Sequence, residues 1–172
     1  MSDWSLRLAR PEDAEFMPAI ELAAADLFKG DPDLTSVDFS DTWEPAELRQ
    51  MIGKGHCLVA HVGDLMAGFL VSEPFRRELH VWEIDVHPRY QGRGIGAGLM
   101  RACQVDARNC GYNALTLTTF RDLPWNAPFY ARLGFVEITD LASYPRLRME
   151  LEEEAKTGLP RERRCAMIHF LD

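Results

Sequence analysis

The chain is short of positive charge. Its 172 residues carry 19 Lys and Arg against 27 Asp and Glu, a formal net charge of −8. A nucleic-acid binder usually shows the opposite surplus, so that class is disfavoured. The balance is compatible with a cationic substrate, although solubility alone accounts for it. No run of 18 apolar residues is present, so no membrane-spanning helix is expected. Met1-Ser2-Asp3-Trp4 lacks the charged-then-apolar plan of a signal peptide. Cysteine is sparse: Cys57, Cys103, Cys110 and Cys165 have no metal-like pairing. They lie within apolar patterns and read as buried free thiols, which fits a reducing cytoplasm. The five histidines show no His-x-x-x-His spacing, and no metal site is expected. There is no repeat, low-complexity tract or linker. Hydrophobic content of 47% and charged content of 27% are ordinary for a globular core. The length suits one domain over residues 1–172.

What is present centres on residues 80–108. His80-Val81-Trp82-Glu83-Ile84-Asp85-Val86 is rich in β-branched and aromatic residues and reads as a strand, ended by His87-Pro88. A glycine loop follows, Gln91-Gly92-Arg93-Gly94-Ile95-Gly96-Ala97-Gly98. Ile95, Leu99, Cys103, Ala107 and Cys110 then recur at steps of three and four, an apolar helical stripe stopped near Asn109-Cys110-Gly111.

Glycines at a helix start let backbone approach a ligand, and the first turn offers free N–H groups and the positive end of the helix dipole. Together these bind phosphate. A P-loop would need a lysine and a hydroxyl residue after its last glycine, and neither is there. Gly92-x-Gly94-x-x-Ala97 fits a dinucleotide fingerprint by letter. In that fold, however, the glycines follow the strand directly and an acid ends the next strand. Here Pro88-Arg89-Tyr90 intervenes and Asp122 comes late. A glycine-softened turn without a ligand is the plain alternative.

Val86-His87-Pro88-Arg89-Tyr90-Gln91-Gly92-Arg93-Gly94-Ile95-Gly96 closely resembles the acyl-CoA signature of the GCN5-related N-acetyltransferases: a valine and proline at a strand end, then Gln/Arg-x-x-Gly-x-Gly/Ala opening a helix. Asn126-Ala127-Pro128-Phe129-Tyr130-Ala131-Arg132-Leu133-Gly134-Phe135 is similar to the family's Phe-Tyr-x-x-x-Gly-Phe block. The resemblance covers roughly Trp4 to Leu171. It implies an α/β fold, a mixed sheet of about seven strands with helices on both faces, and acetyl-CoA (coenzyme A) as cofactor. It carries pyrophosphate binding onto Gln91, Gly92, Arg93, Gly94, Ile95 and Gly96. Pairing with the pantetheine arm falls on the open strand edge around Ile84 to Val86, beside a β-bulge that splays this strand from the next.

The rest of the chain fits this plan. Trp4 to Leu8 alternates as a first strand. Arg10-Pro11-Glu12-Asp13 starts a helix with Phe16, Ile20, Ala23, Ala24 and Leu27 as its buried stripe. Residues 31–43 form a long acidic loop, and such loops are often functional. Pro45 to Lys54 is a short helix with Ala46, Leu48 and Ile52 as candidates for burial. Cys57–Val62 and Leu65–Val71 are strands joined by a Gly63-Asp64 turn, and residues 73–78 read as the next turn. Ala114–Phe120 is a strand parallel to residues 80–86. A helix follows Asn126, then a short strand over 135–138. Leu147, Leu151 and Ala155 mark a last helix, and Cys165–Leu171 the last strand.

Acetyl transfer from a thioester to an amine needs little machinery. An amine of pKa ~10.4 must lose its proton before it attacks. An acid or base group contributes ~10²–10⁴-fold, and a backbone N–H stabilises the oxyanion. In the family a glutamate of the central strand, or one acting through water, is the base. Glu83 is the first candidate here, with Asp85 and His80 behind it and a structural carboxylate as the alternative. Strict alternation puts Glu83 and Asp85 on one face and His80 on the other, unless a bulge breaks the parity. Tyr130 matches the family's general acid. Asn126 either contacts CoA or only caps its helix. Trp43, Phe120 and Trp125 are candidates for an acceptor pocket, although large aromatics are usually core. The expected activity is N-acetylation of a primary amine, on a small molecule or on a protein N-terminus or lysine. A CoA-binding module without catalysis is the other class, and a homodimer stays open.

Overall fold

The structure, a computed structural model, describes residues 2–172. Seven strands form one mixed sheet: β1 (Trp4–Leu8), β2 (Leu58–Val62), β3 (Leu65–Phe75), β4 (Glu78–Val86), β5 (Ala114–Phe120), β6 (Val136–Glu137) and β7 (Arg164–Phe170), in the order β1-β2-β3-β4-β5-β7-β6. β1 to β4 run antiparallel, β4 and β5 run parallel, and β7 is antiparallel to both β5 and β6.

Five α-helices cover the two faces: α1 (Met17–Ala24), α2 (Pro45–Gly53), α3 (Ile95–Asn109), α4 (Ala127–Arg132) and α5 (Pro145–Lys156). Strand alternation sorts the core between them. Leu70, Leu79, Val81, Leu115, Leu117 and Met167 face α3 and α4 and pack with Ile95, Leu99, Cys103 and Tyr130. Val59, Phe69 and Val71 face the other way, against Met17, Ile20, Leu48 and Ile52 of α1 and α2. Ala114, Ala166 and Ile168 pack there against Leu147 and Leu151 of α5.

Several local expectations shift. Residues 11–28 are not one helix. A 3-10 turn over Pro11–Glu15 precedes α1, and another over Ala25–Phe28 follows it. The changed phase turns Met17 inward and leaves Phe16 61% exposed, with Leu27 at the surface. Ala46 is exposed too, because α2 buries only Leu48 and Ile52. The turn expected at 73–78 is mostly strand: β3 and β4 pair out to Phe75 and Glu78, around Arg76 at φ 55. Cys57, Cys103 and Cys165 are buried, but Cys110 is exposed, since α3 ends one residue before it.

Two polar clamps fix the connections. The His56 ring lies 2.7 Å through Nδ1 from Asp106 and 3.1 Å through Nε2 from the Tyr112 hydroxyl, tying the entry of β2 to the end of α3. Arg163 donates to both carboxylate oxygens of Asp31, at 3.0 and 2.6 Å, and to Asp122. That clamp holds the 31–43 loop, whose Leu34 is buried against Phe120 and Leu123.

The start of α3 is itself packed on β1. The Trp4 indole N–H donates to the Arg93 carbonyl at 3.1 Å. A Cβ at Gly98 would lie 2.4 Å from the same ring. Gly98→Ala should therefore destabilise the protein by about 1–3 kcal/mol through overpacking. At roughly 2–4 °C per kcal/mol for a chain of this size, a melting curve reads it. An unchanged melting point would show that Trp4 yields freely.

Candidate active site

Gly92 and Gly94 take φ of 76 and 82, a left-handed conformation that disfavours any side chain. Gly94 is the N-cap of α3. The first helical hydrogen bond runs from the Gly98 N–H to the Gly94 carbonyl at 2.9 Å, so the amides of Ile95, Gly96 and Ala97 precede it. Gly96 differs from its neighbours. Its φ is ordinary, and a Cβ there would meet only Phe129 at 3.6 Å and Val86 at 3.8 Å. Neither backbone nor packing demands a glycine, and its bare backbone borders an open cavity.

The loop side chains divide. Gln91 Nε2 donates to the Val86 carbonyl at 3.0 Å, tying the loop to the strand end. Arg93 turns away: its guanidinium pairs with Asp3 at 2.8 Å and lies over the Tyr90 ring. Its side chain is therefore engaged elsewhere, and only its backbone remains to serve a ligand.

Two irregularities in β4 shape the site. The β3–β4 register pairs Val71 with Glu83 but Ser72 with Val81, so Trp82 is an extra, bulged residue. The β4–β5 ladder pairs Glu78, Leu79 and His80 with Ala114, Leu115 and Thr116 and then stops. Beyond His80 the two strands diverge, leaving the β5-facing edge of β4 open through Ile84 and Val86. The bulge also breaks the alternation. Glu83 and Asp85 pair with Val71 and Phe69, which face α1, so both carboxyls share a face with His80 and Trp82. Ile84 and Val86 take the α3 face.

A cavity of about 740 Å³ occupies this opening. On the α3 side it is bordered by Gln91, Gly92, Gly94 to Ala97, Asn126, Phe129 and Tyr130. On the α1 side it is bordered by Glu83, Asp85, Glu21, Asp38, Phe39 and Asp41. Phe120 and Trp125 belong to its wall, while Trp43 packs behind Glu83.

Carboxyls dominate its electrostatics. Burial pushes Asp85 well above the usual range, and the charges of Glu83 and Glu21 push it further. Burial also raises Glu83, but Asp85, Arg164 and the Trp43 side chain pull it back. Both carboxyls of the pair are therefore raised, and the pair gives up its protons less readily than ordinary acids do. Glu21 is pushed up to about 8 by burial, Glu83 and Asp41, even though it accepts the Trp43 N–H at 2.9 Å. Tyr130 is buried, and burial followed by the charges of Glu83 and Asp85 raises its pKa, so it is a neutral phenol at any physiological pH.

The remaining expectations separate. The Asn126 side chain does not cap α4: only its carbonyl serves the helix, accepting the Tyr130 N–H at 3.0 Å. Its carboxamide is left for the cavity it borders. His80 is fully buried, 2.9 Å through Nδ1 from the Thr116 hydroxyl, and burial beside Arg146 holds it down to about 3. A neutral imidazole packed away from the cavity is not a base for it. Sequence reasoning missed Glu21, Asp38, Phe39, Asp41 and Arg164 as individual residues. The acidic character of the 31–43 stretch was the one available signal.

The model of the acetyltransferase (GNAT) family matches residues 22–135. Among solved structures, the fold is similar to that of the PaiA N-acetyltransferase from Thermoplasma acidophilum in complex with coenzyme A, at 15% identity and a TM-score of 0.72 over 97% of this chain and 98% of that one. It is also similar to the ribosomal-protein-S18-alanine N-acetyltransferase from Escherichia coli, at 17% identity and a TM-score of 0.70 over 98% and 94%. Rv2747 from Mycobacterium tuberculosis, in complex with CoA, is similar at 20% identity and a TM-score of 0.68 over 98% and 99%.

The raised carboxyls carry a stability consequence. Glu21 unfolded has its ordinary pKa of 4.5, and folded about 8. Between these values the folded state binds more protons, so stability falls as pH rises. Glu21→Gln removes that titration. Its melting temperature should gain on the wild type as pH goes from about 5 to about 9. A difference constant across that range would mean that Glu21 is solvated like an ordinary carboxylate.

Proposed function

This chain belongs to the acetyltransferase (GNAT) family, and on that basis we propose that it moves an acetyl group from acetyl-CoA to a primary amine, on a small molecule or a protein. One observation carries the reading. A single cavity joins the free amides of α3 to the gap between β4 and β5, where Glu83, Asp85 and Tyr130 converge. The residues fit the cofactor. The N–H groups of Ile95, Gly96 and Ala97, with the bare backbone of Gly96 bordering the cavity, suit a pyrophosphate. The open β4 edge at Ile84 to Val86 suits the amide groups of the pantetheine arm. Acetyl-CoA, when bound, supplies an already activated thioester.

The protein's own contributions follow from position and charge. The carboxyls on the α1 side receive the acceptor as an ammonium. Glu83 takes the proton from the amine nitrogen and frees the lone pair. The Tyr130 hydroxyl donates a hydrogen bond to the sulfur as negative charge develops on it. Phe129 and Phe135 pack on the Tyr130 ring, with centroids at 5.2 and 5.9 Å, and fix its direction. Asn126 adds a carboxamide on the cofactor side.

Binding and catalysis can be tested apart. Gly96→Val should abolish coenzyme A binding in calorimetry while leaving the melting curve unchanged, because its φ is ordinary and its surroundings have room. Gly94→Val is the poorer probe, since φ 82 strains any side chain. Undiminished affinity in Gly96→Val would remove the site.

Glu83→Gln should lower kcat by ~10²-fold or more at neutral pH. The deficit should shrink as pH approaches the ~10.4 of a lysine-like amine, which then deprotonates unaided. A deficit that does not vary with pH would assign Glu83 a structural role instead.

A further inference from the structure

Away from the cavity, three side chains of different chemistry converge where α3 ends. Asp106 and Cys110 are four residues apart, and the Cys110 N–H still donates to the Asp106 carbonyl at 2.9 Å. The helical turn is therefore closed, and the two side chains lie on one face of it. His56, fifty residues earlier in the chain, meets them from the approach to β2. Its Nδ1 lies 2.7 Å from Asp106 Oδ2, and the Cys110 sulfur lies 3.8 Å from Asp106 Oδ1. One nitrogen, one oxygen and one sulfur thus stand within 4.8 Å of one another. Ligand atoms bound at ~2.0–2.3 Å to a tetrahedral zinc ion are roughly 3.4–3.6 Å apart. The two short distances here bracket that spacing. The ligands are also held in place. The His56 side chain is only 12% exposed and that of Asp106 23%. The Tyr112 hydroxyl sits 3.1 Å from His56 Nε2, and its ring meets the imidazole edge-on at 5.2 Å. A metal-bound imidazole keeps its second N–H for such a partner, which fixes the tautomer and the direction of the ring. No lysine or arginine pairs with Asp106 among the described residues.

We propose that His56, Asp106 and Cys110 form a zinc site, with Tyr112 supporting His56 from outside and water as the fourth ligand. Imidazole, carboxylate and thiolate together suit Zn²⁺, and the sulfur disfavours Mg²⁺ and Ca²⁺. Cys110 is exposed, so the fourth position faces solvent. As the zinc–sulfur bond forms, the thiol proton leaves to water, and so does any proton on Nδ1. No electron is transferred, and the dication offsets the repulsion between a thiolate and the neighbouring carboxylate. The ion replaces the hydrogen bond between His56 and Asp106 with a stronger link across the same joint, from the end of α3 to the start of β2. None of the three ligands borders the cavity, so the site stands apart from the acetyl-transfer reading. The sequence hides it, because one ligand comes from a distant strand entry and only the fold brings the three together.

Full-length protein stripped with a chelator should take up one equivalent of Zn²⁺ per chain in calorimetry. Cys110→Ala is the informative variant, because the side chain is exposed and its loss leaves the His56–Asp106 contact in place. It should weaken zinc binding by at least the ~10–100-fold that losing an outer partner costs. Co²⁺ in place of Zn²⁺ reads the sulfur directly. The wild type should show a thiolate-to-cobalt absorption in the near ultraviolet, and Cys110→Ala should not, since Cys57, Cys103 and Cys165 are buried. Zn²⁺ should raise the melting temperature of the wild type more than that of Cys110→Ala at the same concentration. Failure of the stripped wild type to take up stoichiometric zinc overturns the site. So does equal zinc affinity in Cys110→Ala, or a cobalt spectrum that the substitution does not change. The three residues would then form a hydrogen-bonded clamp and nothing more.

Discussion

The site depends on the point where β4 parts from β5. A parallel ladder continued through residue 86 would bury the β4 edge in hydrogen bonds and close the sheet. Instead the ladder ends at His80 and Thr116, and the bulge at Trp82 follows within two residues. The bulge adds one residue to one strand, bends it and steepens its twist. Backbone polar groups must find partners somewhere. Those of β4 beyond the bulge keep β3 on one side and border a cavity on the other. The opening joins the two faces of the sheet, so residues of the α3 side and of the α1 side line one cavity.

The electrostatics follow from the same geometry. Trp82 as an extra residue turns Glu83 and Asp85 toward α1, into the company of Glu21. Grouped, half-buried carboxyls cannot all ionise, so Glu21, Glu83 and Asp85 are all raised, with Arg164 opposing the rise at Glu83. The protein accepts this repulsion as the consequence of bringing the three carboxyls to one face. Stability elsewhere is conventional by comparison: two packed faces, with the Arg7–Asp13 pair at 2.7 Å securing the exit of β1.

The 31–43 loop shows how a surface excursion becomes part of a site. Its polar, acidic sequence marks it as a loop but says nothing of where it lies. Arg163, over a hundred residues away, grips Asp31 and Asp122 together, and Leu34 anchors against Phe120. Val37, Asp38, Phe39 and Asp41 are thereby held along the cavity. The loop is short on regular structure and long on fixed contacts.

Much of this was legible in the chain. Alternation, helical spacing and punctuating glycines and prolines located every strand and most helices, and the two motif blocks led to the glycine turn and Tyr130. Those signals are local: hydrophobic period and turn chemistry act over a few residues, and the φ of Gly92 and Gly94 is a matter of one residue each. The helix phase around Phe16 failed because a 3-10 turn intervenes, and no period within the chain announces that change. The glycine turn and Tyr130 on the α3 face were therefore marked by local motifs, while on the α1 face only Glu83 and Asp85 were named, and not the face they take. Whether Glu83 and Asp85 share a face with His80 depends on a single unpaired residue, and a bulge is a property of two strands together. The same holds for Glu21, Asp41 and Arg164, which come from a helix, a loop and the last strand. Only the packed sheet brings their charges close enough to shift one another, because electrostatic coupling depends on separation and burial in space and not on separation along the chain.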